Sequence, residues 1–148
     1  MLFRLVEQGI MAALAPPGAE KVDILVLSTD EQITATIQVK TTGNGVARGW
    51  TMSAKHESIV DSHAFYAFVD VKKPQAPVTY IVPSHVVAHG LQESHRTWIM
   101  APGTKGQSRV DNPVRKFASK YNPSVPNWGP TQLDEYREAW HRLRQAVP

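Results

Sequence analysis

Between residues 22 and 42 apolar and polar positions follow each other in a way that extended structure explains. Ile24, Leu25, Val26 and Leu27 form an unbroken apolar run, the mark of a strand covered on both faces and central in a sheet. The stretch Ser28-Thr29-Asp30-Glu31-Gln32 is short and hydrophilic, and its side chains can hydrogen-bond their own backbone, so it predicts a turn into an antiparallel neighbour. Ile33, Ala35, Ile37 and Val39 then alternate with Thr34, Thr36, Gln38 and Lys40, which puts one face of the second strand in the core and leaves the other polar.

The rest of the pattern supplies the neighbours of this hairpin. Leu2, Leu5, Ile10, Met11 and Leu14 recur at roughly helical intervals and predict an amphipathic helix over residues 2 to 14, ended by Pro16-Pro17-Gly18. Trp50 to Ser53 reads as a short strand, with Ser53 as N-cap of a helix that carries His56 and Glu57 in its first turn and runs to Val60. Ala64 to Val71 is apolar and aromatic enough for the centre of the sheet. Val78 to Val82 makes a further strand, and Pro83-Ser84 opens a helix whose Val86, Val87 and Leu91 face inward, with Trp98-Ile99-Met100 extending the buried surface. Over residues 101 to 130 prolines and glycines interrupt any period and predict an irregular arm. From Thr131 as N-cap, Leu133, Tyr136, Trp140 and Leu143 describe one apolar face of a last helix, a core stripe. The whole reads as an α/β domain with a central mixed sheet flanked by helices.

Composition narrows the classes. The 148 residues suit one domain, residues 1 to 148, with a core of useful size. Apolar residues at 42% and charged residues at 20% are ordinary for a globular protein and exclude a disordered one. The absence of cysteine excludes disulfides, thiolate catalysis and cysteine-based zinc sites. No apolar run approaches the roughly 18 residues of a membrane helix, and Arg4 and Glu7 interrupt the N-terminal apolar pattern, so no membrane partner and a cytoplasmic location are expected. A net charge of +3 permits a phosphate-rich partner without requiring one.

The chemistry gathers on the hairpin. Side chains two apart on a strand share a face, about 6 to 7 Å from each other, so Gln38 and Lys40 point the same way. Asp23, at the open end of the neighbouring strand, comes level with them if the strands pair in this register. An acid opening one strand and Gln-Val-Lys closing the next resemble the PD-(D/E)XK nuclease superfamily, the restriction-endonuclease-like fold. Asp23 matches its first acid, Gln38 stands at the second, Val39 is the X and Lys40 the lysine. Val22 stands where a proline often does, and Gln-X-Lys is a variant found among Mrr-like restriction enzymes and some homing endonucleases. Ile37 to Thr42, Gly49 to Ser53, Lys55-His56-Glu57 and Phe65 to Asp70 are also similar to small bacterial members of that superfamily.

The resemblance implies a restriction-endonuclease-like core and a metal-dependent endonuclease acting on nucleic acid, most simply DNA. Asp23, Gln38 and the Val39 carbonyl would hold Mg²⁺, or Mn²⁺ in its place, with Asp23, Gln38 and Lys40 as the catalytic set and Lys40 working on the attacking water or the phosphorus. Related nucleases that cut both strands often act as dimers, so a homodimer is an open possibility. In such proteins the first helix commonly adds an acid, and Glu7 is the one available, although a solvated helix residue explains it as well.

Other residues carry weaker signals. Arg48, in the glycine-containing loop after Lys40, is the natural phosphate contact there, and a plain surface loop fits equally. The arm carries Lys105, Arg109, Arg115, Lys116 and Lys120 against Asp111 alone, so Arg115 and Lys116 are candidate nucleic-acid contacts, with a solubilising surface as the alternative. His56 has a place near the site open to it, with an exposed polar helix residue as the preferred reading. His85 and His89, at i and i+4, need no more than a solvent-facing helix, because no Glu follows His85 to make a zincin pattern. Two other readings stay open: a nucleic-acid-binding domain of the same fold that no longer cuts, and a small interaction module in which Asp23 and Lys40 form a salt bridge.

Overall fold

The computed structural model describes residues 1–44, 49–117 and 133–145. Its frame is the expected hairpin. Ile24–Leu27 (β2) and Ile33–Thr42 (β3) pair antiparallel, with Ile24 opposite Ile37 and Val26 opposite Ala35. The turn is closed by the Ser28 N–H donating to the Gln32 carbonyl at 2.9 Å and by the Ser28 hydroxyl on the Asp30 carboxylate, with Glu31 in the left-handed region at φ 64°.

The first helix is shorter than its apolar spacing predicts. Leu2–Glu7 is helical (α1), Gly9 takes φ 68°, and Ala12–Leu14 becomes a strand (β1) on the outer side of β2. A left-handed glycine just past a helix is a common stop, and the apolar residues after it serve a three-residue edge strand as well as a helix. β2 is therefore interior, but Leu25 and Leu27 stay half-buried.

Ala64–Asp70 (β5) lies parallel to β3, with Gln38 beside Tyr66 and Lys40 beside Phe68, and Val78–Pro83 (β6) pairs antiparallel to β5. The order β1-β2-β3-β5-β6 makes a mixed sheet with one parallel pair, and the fold is α/β. Trp50–Ser53 (β4) and Val114–Phe117 (β7) form a separate two-stranded sheet. Residues expected in an irregular arm thus include a strand; residues 118–132, with Lys120 and Thr131, lie outside those described. Between β4 and β5 the predicted helix is a 3-10 turn, Ala54–Ser58, without a side-chain cap from Ser53.

Both faces of the sheet are covered. On one, Ile24, Val26, Ala35, Ile37, Phe65, Ala67 and Ile81 pack under Leu5, Ile10, Trp140 and Leu143. On the other, Tyr66, Phe68, Tyr80 and Val82 pack under Trp50, Met52 and Phe117, with Val87 and Leu91 of the helix Ser84–Met100 (α2). Phe117 stacks on Phe68 with centroids 4.5 Å apart. The face of β3 expected to be polar does carry Thr34, Thr36, Gln38 and Lys40, but this second layer covers it, and Gln38 is 8% exposed. The far end of α2, expected to be buried, is open instead, with Met100 80% exposed. Among the described residues no helix is long and apolar enough to cross a membrane.

The C-terminal apolar stripe is buried as expected, but not on one helix face. Leu133 and Tyr136 enter the second core and Trp140 and Leu143 the first, because the chain reverses at Glu138, φ 49°, before the short helix His141–Gln145 (α3). Along the way it borrows the free edge of β6: Ile81 N–H donates to Tyr136 O and Glu138 N–H to Thr79 O, at 2.9 and 2.7 Å. The Glu138 carboxylate accepts from Thr79 N–H, Arg4 and the Trp140 indole at 2.8, 2.8 and 2.9 Å. Since loss of this acceptor strands donors at a buried edge, Glu138→Ala is expected to lower unfolding free energy by about 1–3 kcal/mol, measured by urea titration.

Candidate functional site

Asp23 sits just before the first residue of β2, at the end where β3 runs on past it. Its N–H donates to Ile37 O at 2.9 Å, and its carbonyl receives Ala15 N–H at 3.0 Å on the opposite side. The exposed carboxylate then reaches across, and Oδ2 accepts the Val39 N–H at 2.7 Å. The acid is thereby tied to the backbone between Gln38 and Lys40. In extended chain the N–H and carbonyl of one residue share a side, so the Val39 carbonyl faces the same open end of the hairpin. No described ion pair joins Asp23 to Lys40.

Gln38 and Lys40 project from the face that carries Tyr66 and Phe68. Gln38 is buried, and its Oε1 has no hydrogen-bond partner among the described residues. An amide oxygen left so carries a desolvation cost of about 1–3 kcal/mol. Lys40 is half-buried.

On the same face stands a histidine for which the sequence favoured an exposed helix position over one near the site. His56, on the 3-10 turn, is 3% exposed, and its Nδ1 lies 2.8 Å from the Tyr66 hydroxyl. Burial, then the positive charges of Lys40, Lys55 and Lys21, lower its pKa to about 4, so the imidazole is neutral. Burial raises the Tyr66 pKa to about 12, so the phenol keeps its proton. A signal for this pair was present in the chain: a tyrosine inside an apolar strand needs a partner for its hydroxyl. Lys21, which no sequence motif singles out, adds its charge to those of Lys40 and Lys55 in lowering the pKa of the imidazole, and none of the three forms an ion pair among the described residues.

For a hard cation the donors are right in kind and poor in charge. Asp23, Gln38 Oε1 and the Val39 carbonyl are all oxygens, which is what Mg²⁺ takes, but they bring a single negative charge. Among the described residues no three of His, Cys, Asp and Glu gather to hold a metal. Glu7 does not join them: α1 packs on the other face of the sheet, and Glu7 pairs with Arg4 at 3.6 Å. His85 and His89 lie exposed on α2.

The expected nucleic-acid contacts divide. Arg48 lies outside the described residues. Arg115 is 7% exposed and bound in place, with Nε on the Glu57 carboxylate and a guanidinium nitrogen on Val114 O at 3.1 Å, so its charge is spent inside the protein. Lys116, the next residue, is exposed. Both border a cleft of about 450 Å³ between α2 and β7, with Leu91, His95, Trp98 and Val114; none of Asp23, Gln38 or Lys40 lines it.

No family model, curated protein or solved structure matches the chain.

Two outcomes follow from this geometry. Arg115→Ala leaves Glu57 without its counter-ion beside the second core and should cost on the order of 3 kcal/mol in chemical denaturation. His56 binds a proton more readily unfolded than folded, so its contribution to stability is full above pH 6.5 and is lost as pH falls toward about 4. Between pH 7 and 4.5 the melting temperature of the native protein should therefore fall more steeply than that of His56→Gln.

Proposed function

We propose that the chain is a metal-dependent nuclease of the restriction-endonuclease-like kind, hydrolysing phosphodiester bonds in nucleic acid, most simply DNA, in the cytoplasm. The observation that carries this reading is the Asp23 carboxylate held on the Val39 N–H, at the centre of Gln38-Val39-Lys40. It supports the reading because it ties the acid to the backbone between Gln38 and Lys40. The unpartnered Gln38 Oε1 adds support, because an oxygen buried without a donor suits a cation.

Asp23, Gln38 and the Val39 carbonyl would hold Mg²⁺ or Mn²⁺, which when bound supplies charge neutralisation at the phosphate and a more acidic water. Lys40 has two tasks open to its ammonium group: orienting the attacking water, and countering the charge that grows on the phosphoryl oxygens. Lys21 and Lys55 raise the local positive potential and draw a phosphate backbone toward this edge, and exposed Lys116 adds to the attraction. The single carboxylate favours one alternative, a protein of the same fold that binds nucleic acid and does not cut.

A plasmid-nicking assay with Mg²⁺ or Mn²⁺ decides between them. Native protein should nick, while Asp23→Ala and Lys40→Ala should each lose activity by 100-fold or more, on the scale of lost charge stabilisation in other enzymes, with both variants folded at the assay temperature. Binding that weakens steeply with salt and no nicking by any variant supports the alternative.

A further inference from the structure

A buried histidine whose ring is fixed at one nitrogen and open at the other is an arrangement built for proton transfer. His56 Nδ1 is engaged by the Tyr66 hydroxyl at 2.8 Å. Its Nε2 makes no hydrogen bond among the described residues. The rings of His56 and Tyr66 meet edge to face at 5.7 Å, which fixes the imidazole plane as well as its position. Tyr66 is the register partner of Gln38 on the parallel strand, so the histidine is anchored to the same level of the sheet as the candidate site.

We propose that His56, positioned by Tyr66, is the general base of this site, accepting through Nε2 the proton of the water that attacks the phosphorus. The assignment rests on the phosphodiesterase reading above. With Nδ1–H donating to the Tyr66 oxygen, Nε2 keeps its lone pair. The 2.8 Å contact then holds the ring by its Nδ1 side and leaves Nε2 as the basic nitrogen. In the step, a water O–H bond breaks and its proton goes to Nε2 while the water oxygen bonds to phosphorus. The bond from phosphorus to the leaving ester oxygen breaks, that oxygen takes a proton from solvent, and His56 returns its proton to solvent. The products are a phosphomonoester and an alcohol.

The neutral state of the ring follows from its surroundings. Burial and the charges of Lys40, Lys55 and Lys21 keep the imidazole unprotonated before substrate arrives. A phosphodiester entering among those lysines brings negative charge, which raises the affinity of the ring for a proton when the water is to lose one. A residue that only filled space would gain nothing from this.

The test uses the whole chain. Native protein, His56→Ala, His56→Gln and Tyr66→Phe are compared in Mg²⁺-supported cleavage of a duplex oligonucleotide and in its binding by fluorescence anisotropy without metal. The expected result is a loss of kcat of about 100-fold for both histidine variants, the lower end for general-base catalysis. Binding should stay within twofold, added imidazole should partly restore His56→Ala, and Tyr66→Phe should lose about tenfold. In the native protein, without metal, the imidazole Cε1–H resonance of His56 should shift when the duplex is added. Cleavage within threefold of native in folded histidine variants overturns the assignment, as does a loss that imidazole does not repair. If both histidine variants unfold, the resonance decides, and a signal unmoved by duplex overturns it. Native protein that cuts nothing removes the phosphodiesterase reading itself and the base with it, a result distinct from active variants.

Discussion

The strand β3 is covered on both sides, and most of what is distinctive in this molecule follows from that constraint. A sheet with one wet face can carry glutamine and lysine at no cost. Here the second face lies under β4, β7 and α2, so each polar group of β3 must find a partner, reach solvent or remain unsatisfied. Thr34 solves the problem by donating to Val26 O at 3.3 Å, Lys40 by staying half-buried, and Gln38 does not solve it. An unsolved case in an otherwise well-paired sheet marks the place where a ligand is most easily imagined.

The same constraint governs the charges. Arg115 is turned inward from the second layer itself and survives there because Glu57, on the 3-10 turn, meets it; the two residues join β7 to the segment that carries His56. No lysine forms an ion pair among the described residues, and the charges of three of them, Lys40, Lys55 and Lys21, act on the imidazole. Positive charge counted along the chain pointed to the arm, whereas positive charge free to meet a partner also gathers at the open end of the hairpin.

What the sequence disclosed was local. Period-two alternation over residues 33 to 40 and a polar five-residue turn were enough to place Gln38 and Lys40 on one face and to bring Asp23 level with them, and the Asp23 to Val39 hydrogen bond is the outcome. What stayed hidden was non-local. The Glu57–Arg115 pair spans 58 positions, and nothing near Arg115 announces it. His56 follows a short strand within Lys-His-Glu, which looks like an exposed helical turn until the layer that seals it is known. The first helix failed for a different reason: Ile10, Met11 and Leu14 suit a helix and an edge strand alike, and the backbone of Gly9 decides between them. The likeness to restriction-endonuclease-like proteins rests on that local hairpin, and the proposed chemistry is of the same local kind.

The C-terminal segment has a consequence beyond the site. Within eleven residues, Leu133 to Leu143, it contributes side chains to the hydrophobic clusters on both sides of the sheet and bonds along the sheet's outer edge between them. Neither layer can peel away while that crossing stays seated, because lifting one pulls on the anchor of the other. The protein should therefore melt as one body rather than shed its layers in turn, with the end of the chain acting as the bolt through the sandwich.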